Sequence, residues 1–240
     1  CDDFIELHGD KAFADDHAVV AGIGTIGTHR AVIIGQQKGR NTKENLFRNF
    51  GMMKPEGYRK ALRVMKIAEK FHLPIVTLVD TPGADPGIAA EERGQGFAIA
   101  NNLMEMASID TPILTIVIGE GASGGALGIG LCDKMLMLQN TWFSVISPEG
   151  CASILWKDSS KAPEAAEALK LTPKDLMEHD ICNMIIHEPI GGAHRHFDET
   201  ILIVKKAIIE EIDSFKKDAS ISYLDSRVAR YDKLGSFREF

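Results

Sequence analysis

The stretch Ile113-Leu-Thr-Ile-Val-Ile118, running into Gly119-Glu-Gly-Ala-Ser-Gly-Gly-Ala-Leu-Gly-Ile-Gly130, limits what this chain can become more than any other. Its first half is apolar and β-rich with no alternation, the pattern of a strand covered on both faces. Gly119 and Gly121 permit a sharp turn. Ser123 reads as an N-cap, and Gly124 to Ile129 as the first turns of a helix. A helix that starts this way offers free backbone N–H groups and its positive dipole end to an anion. That anion is either a phosphate or an oxygen that becomes negative during a reaction. Gly124 and Gly125 let a substrate come close to the backbone.

A second stretch repeats the design. Pro74 precedes a buried strand, Ile75-Val-Thr-Leu-Val-Asp80, and a loop follows, Thr81-Pro-Gly-Ala-Asp-Pro-Gly87. In an open α/β fold, loops at the carboxyl ends of neighbouring strands converge on one crevice. N–H groups of Gly83 or Ala84 and of Gly124 or Gly125 would then face one oxygen about 3 Å away, as in an oxyanion hole. One such loop is as easily a plain tight turn; two together favour a site.

The remaining pattern places these loops. Residues 4–17 read as a short helix and a loop, and 18–26 with 31–36 as a hairpin turning at Gly27-Thr-His-Arg30. Residues 38–54 form a polar loop, and Pro55-Glu56 opens a helix to about Lys70. Helices are expected at 89–108, from Ser147-Pro-Glu-Gly150 to Trp156, at 163–170 and 173–179, and at 199–215. Strands are expected at 134–139, 141–146 and 183–187, and a polar tail from Lys216 packs on a partner or frays. Strand pairs at 18–36 and 134–146 interrupt a strict β-α alternation, which favours a superhelix of stacked ββα units within the α/β class.

Composition mainly excludes. A formal charge of −7 argues against nucleic acid as a partner. The apolar runs are strand-sized, so no membrane span is expected, and no signal peptide is visible. The chain opens on Cys1 rather than Met, so a trimmed N-terminus is expected. Its four cysteines are widely spaced with no C-x-x-C pair, which argues against a zinc ribbon and for a reduced, cytoplasmic setting.

Other motifs invite sharper readings. Gly121-Ala-Ser-Gly-Gly125 matches the G-x-S-x-G nucleophile elbow, and Asp180 with His187 or His194 completes the order Ser, Asp, His. The serine lies in a longer glycine run better suited to backbone donors, and so short a motif often matches by accident. Val64-Met-Lys-Ile67 has the Met-Lys context of a biotinyl lysine, yet its flanks are helical. Residues 38–70 carry ten Lys or Arg against three Glu, either a solvated face or a surface for coenzyme phosphates or an acidic partner. His194-Arg-His196 has no third ligand nearby and reads as a loop. Glu120 and Glu149 are assigned no proton-transfer role.

Longer strings carry a family resemblance. They are Gln37-Lys-Gly-Arg40, Arg48-Asn-Phe-Gly-Met52, Pro55-Glu-Gly-Tyr-Arg-Lys-Ala-Leu62, Asp80-Thr-Pro-Gly-Ala84, Glu91-Glu-Arg-Gly-Gln95, Gly119-Glu-Gly-Ala-Ser-Gly-Gly-Ala126, Ser144-Val-Ile-Ser-Pro-Glu-Gly-Cys-Ala-Ser-Ile-Leu-Trp156 and Gly191-Gly-Ala-His-Arg195. With these the chain resembles the carboxyltransferase α subunit of multisubunit, bacterial or plastid-type, acetyl-CoA carboxylase.

The resemblance implies a single crotonase-like (ClpP/crotonase) domain over 1–240, ending in a helical tail at 198–240. It implies transfer of a carboxyl group from carboxybiotin, borne on a separate biotin carboxyl carrier protein, to acetyl-CoA, giving malonyl-CoA for fatty-acid synthesis. Gly124, Gly125, Gly83 and Ala84 would form the biotin-side oxyanion hole, and Asp85, Pro86, Ser147, Pro148 and Glu149 the carboxybiotin pocket. Lys38, Arg40 and Arg59 would touch coenzyme A or a partner. The implied partners are a β subunit in an α2β2 assembly, the carrier protein and biotin carboxylase. The β subunit would hold the thioester-side hole and the zinc ribbon, leaving no metal in this chain. The implied setting is the cytoplasm, or the plastid stroma in a plant or alga. Asp85 departs from the pattern, which expects an aromatic residue after Asp-Thr-Pro-Gly-Ala.

Overall fold

In a computed structural model, which describes residues 1–217 and 222–235, the two apolar runs lie side by side in the middle of one sheet. In chain order the elements are β1 (Asp2–Glu6), β2 (Val19–Ile26), β3 (His29–Gln36), α1 (Thr42–Phe47), α2 (Pro55–Phe71), β4 (Ile75–Thr81), α3 (Ile88–Glu92), α4 (Gln95–Ser108), β5 (Ile113–Ala122) and α5 (Ser123–Gly130). There follow β6 (Lys134–Leu138), β7 (Trp142–Ser144), α6 (Pro148–Leu155), α7 (Ala162–Leu169), α8 (Pro173–Glu178), β8 (Met184–Ile186), α9 (Phe197–Lys217) and α10 (Tyr223–Asp232).

The sheet order is β1-β2-β3-β4-β5-β6-β8, with β7 beside the end of β5. β1 to β3 are antiparallel; every pairing from β3 onward is parallel. Parallel strands need cover on both faces, and β5 shows it. Ile113 and Val117 enter a core shared with α2, α4 and α5, while Leu114 and Ile116 enter the opposite core under α9. Alternate residues thus point to two apolar layers, which is why no polar alternation marks the run.

Part of the basic segment, Lys38, Arg59, Lys60 and Lys66, is paired with carboxylates inside the fold. The loop after β1 carries Asp10, Asp15 and Asp16. Arg59 pairs with Asp10 at 2.7 Å, Lys60 with Asp15 at 2.6 Å, and Arg93 with Glu56 at 2.9 Å. Burial pushes the Asp15 carboxyl up, but hydrogen bonds from Lys60, the Gly9 N–H and His8 outweigh it and hold the group well below the usual carboxylate range. Lys66, the lysine of the Met-Lys motif, sits on α2 between Glu69 and Glu105.

Five local expectations are corrected. Residues 2–6 are an edge strand rather than part of a helix, because β2 offers a free edge and its Gly22 leaves room for Phe4 and Ile5. The polar loop 38–54 contains α1, started by the Asn41 side chain accepting from Glu44 N–H. The helix expected at 89–108 is two, broken where Gly94 turns at φ 80°. The strands at 134–146 are not a pair: β6 lies between β5 and β8, and β7 pairs only with Glu120–Ala122. The polar tail does not fray where it is described. The guanidinium of Arg227, on α10, donates to the carbonyls of Met106, Ile109 and Thr111 and pairs with Asp133 at 2.8 Å. The remainder of the expected tail, 218–221 and 236–240, lies outside the described residues.

Candidate active site

The site grows out of an irregularity in the central ladder. Val79 pairs with Val117, but the next pair is Thr81 with Gly121, so one residue of β4 faces three of β5. A bulge of this kind re-aims the chain at the end of a strand. The Asp80 carboxylate fills the gap, accepting from Glu120 N–H at 3.1 Å and pairing with Lys38 at 2.8 Å. A Cβ on Gly119 would collide with that carboxylate, so this position requires glycine. Lys38 also reaches Glu120 at 2.5 Å. Burial would lower the Lys38 ammonium, but bonds to the two carboxylates win and raise it.

Beyond the bulge, β5 runs directly into α5. The residue in the cap position is Ala122, at φ −103° and ψ 132°, and α5 has no side-chain cap. Ser123 is not the N-cap: it turns into the left-handed region at φ 59°, exposed and leaving the first turn uncapped. The strand delivers an extended alanine where a serine was expected, so the free N–H groups of the first turn have no side chain to satisfy them. Among the described residues no base is hydrogen-bonded to Ser123. His187 instead bonds Gln139, and His194 lies in an exposed loop, so the geometry offers no triad.

The other loop meets this turn at Gly125. A Cβ there would overlap the Gly83 carbonyl carbon and lie 2.5 Å from Ala84 N. The two glycine loops therefore touch backbone to backbone. Gly83 holds φ 153°, and the Thr81 hydroxyl donates to Gly83 O at 2.6 Å while accepting from Gly83 N–H at 3.2 Å. Gly83 N–H is thus engaged within its own loop, while Ala84 N–H has no acceptor among the described residues.

The flanking candidates have defined surroundings. Asp85 accepts from Gly87 N–H at 2.7 Å and from Asn49 Nδ2 at 3.1 Å, and its backbone N–H donates to Met53 O. An acidic residue here staples its loop to residues 49–53 with polar bonds where an aromatic ring would use packing. Pro86 is exposed beside it. Ser147 caps α6 by accepting from Gly150 N–H at 3.1 Å, with Pro148 and an exposed Glu149 in the first turn. The register Ser144 with Ala122 sends this segment out at the same end of the sheet as the start of α5. Arg40 is exposed, its guanidinium 5.9 Å from the Phe197 ring centroid. Among the described residues no cluster of three His, Cys, Asp or Glu is disposed to hold a metal. Gln36, which the sequence did not single out, is buried behind both loops and bonds to each of them.

The parallel sheet, its covering helices and the two backbone-lined loop ends make this a crotonase-like fold. Its structural relatives agree in fold. A transcarboxylase 12S, solved as a hexamer with hydrolysed methylmalonyl-coenzyme A, matches at TM-score 0.72 and 18% identity over 90% of this chain. The β subunit of Pseudomonas aeruginosa geranyl-CoA carboxylase matches at TM-score 0.60 and 17% identity over 85%. In both cases the chain spans only 39% of the larger structure. The family described as acetyl co-enzyme A carboxylase carboxyltransferase-like matches residues 1–235. Acetyl-coenzyme A carboxylase carboxyl transferase α subunits from Flavobacterium psychrophilum and Thermus thermophilus are 54% and 51% identical, across 98% and 99% of this chain and 74% and 76% of theirs. The chain belongs to the acetyl-CoA carboxylase carboxyltransferase α-subunit family and is a transferase.

Proposed function

We propose that this chain supplies the biotin-side half of a shared carboxyltransferase site. Carboxybiotin, on a separate carrier protein charged by biotin carboxylase, would bring the carboxyl group. A β subunit, in an α2β2 assembly, would present acetyl-CoA, and malonyl-CoA for fatty-acid synthesis would leave. The observation that carries this reading is the contact between Gly125 and Gly83-Ala84, next to an uncapped helix start. Such a cradle fits the ureido oxygen of biotin, which gains negative charge as the carboxyl group departs. Fixed N–H donors stabilise that charge without titrating and without reorganising as the charge forms.

The neighbouring residues would shape the pocket. Asp85 and Pro86 would line one wall, and Ser147, Pro148 and Glu149 another. Of the three basic candidates, Lys38 and Arg59 already serve carboxylates of this chain. Arg40 is exposed and, among the described residues, pairs with no carboxylate, so it is the one proposed to meet a coenzyme phosphate or a partner. The proposed setting is the cytoplasm, or the plastid stroma in a plant or alga. Four unpaired cysteines, three of them buried, support a reducing environment, and no described helix is long and apolar enough to cross a membrane.

The test is carboxyl transfer from malonyl-CoA to free biotin with this chain alone, with the β subunit alone, and with both. Activity only in the mixture is expected. Activity of this chain alone would contradict the half-site reading.

A further inference from the structure

The backbone ladder between β3 and β4 stops at Gly35 and Leu78, one residue before Gln36. From there a side chain takes over. Gln36 is only 4% exposed, and its carboxamide is aimed at both catalytic loops. Its Oε1 accepts from the Asp80 N–H at 3.2 Å, at the residue that fills the β4–β5 bulge. Its Nε2 donates to Gly125 O at 2.8 Å, on the first turn of α5. The same Nε2 lies 3.4 Å from Met53 Sδ, next to the segment that holds Asp85.

We infer that Gln36 is a positioning residue, whose carboxamide sets the spacing between the loop after β4 and the start of α5. The inference rests on the oxyanion reading above. Two features single this side chain out. It is the only polar side chain among the described residues that bonds both to the end of β4 and to the first turn of α5. Moreover, the carbonyl it holds belongs to the residue whose Cα abuts Gly83 and Ala84. Tyr58 OH also donates to Gly125 O, at 3.3 Å, but has no bond to the β4 end. Tyr58 therefore supports α5 alone, whereas Gln36 couples it to β4. A donor displaced by a fraction of an ångström no longer meets the developing charge, so the tie acts on turnover rather than on substrate affinity.

The test uses the assembled complex with the β subunit and follows transfer from malonyl-CoA to biotin. Gln36→Met fills the space without either bond. It is expected to lower kcat about tenfold or more, with KM for malonyl-CoA within about twofold, a smaller loss than deleting an oxyanion donor outright. Gln36→Glu keeps the acceptor toward Asp80 and can donate to Gly125 O only when protonated. Its kcat is expected to rise as pH falls, with an ionisation absent from the unaltered complex. A Gln36→Met kcat within about twofold of the unaltered complex overturns the inference, since pure space-filling predicts that result. If Gln36→Met fails to assemble, the Gln36→Glu pH profile decides, and one parallel to the unaltered complex overturns the inference. Gly125→Ala separates the two layers. Undiminished turnover there removes the oxyanion reading itself. Lost turnover there with a normal Gln36→Met removes only the role of Gln36.

Discussion

Two helix starts in this chain, α5 and α8, were built by opposite rules. α8 carries a full capping box: the Thr172 side chain accepts from Asp175 N–H, and the Asp175 carboxylate accepts from Thr172 N–H in return. Pro173 occupies its first turn, where a missing N–H costs nothing. α5 has an alanine in the cap position, a left-handed serine after it, and two glycines where α8 has Lys174 and Asp175. A capped start satisfies its own donors and contributes stability. An uncapped start leaves its donors unsatisfied by any side chain, and α5 does so where Gly125 meets the backbone of Gly83 and Ala84.

The largest effect is expected at the contact itself. Gly125→Val would drive side-chain atoms into Gly83 and Ala84 and is expected to abolish carboxyl transfer, a fall of at least about 10²-fold in kcat. Near-normal turnover of that variant in the complex would sink the oxyanion-hole assignment. Ala122→Ser gives α5 the cap it lacks, at a residue that already has cap-like backbone angles. Turnover is expected to fall while the melting temperature holds or rises, and lower melting with unchanged turnover would contradict the trade. Thr172→Ala removes the cap of α8 and should cost about 1 kcal/mol in denaturant titration, with kcat unchanged. The smallest effect is expected at Ser123→Ala. With no cap bond to lose, it should shift stability by less than about 0.5 kcal/mol and leave transfer in place. Loss of activity there would revive the serine as a nucleophile.

Much of this was legible from local pattern. β4 and β5 announced themselves as apolar runs, and the loops 81–87 and 119–125 as glycine turns, because each signal lies within a few residues. Parallel neighbours then bring such loops together without further information. What escaped depends on distant partners. Residues 2–6 are a strand only because β2 has an open edge. Arg227 reads as one charge in a polar tail until three carbonyls and Asp133 surround it. Gln36 looks like an ordinary residue at the end of a strand until Asp80 and Gly125 arrive on either side of its carboxamide. Ser123 misled for the reverse reason. Its local pattern suits a cap, but β5 remains extended through Ala122 and shifts the helix start by one residue.

The most direct measurement is a crystal structure of this chain with its β subunit and biotin. The ureido oxygen is expected within about 3 Å of the backbone N–H groups of Gly124 or Gly125 and of Ala84. A ureido oxygen held by the Ser123 hydroxyl, or lying away from both glycine loops, would contradict it.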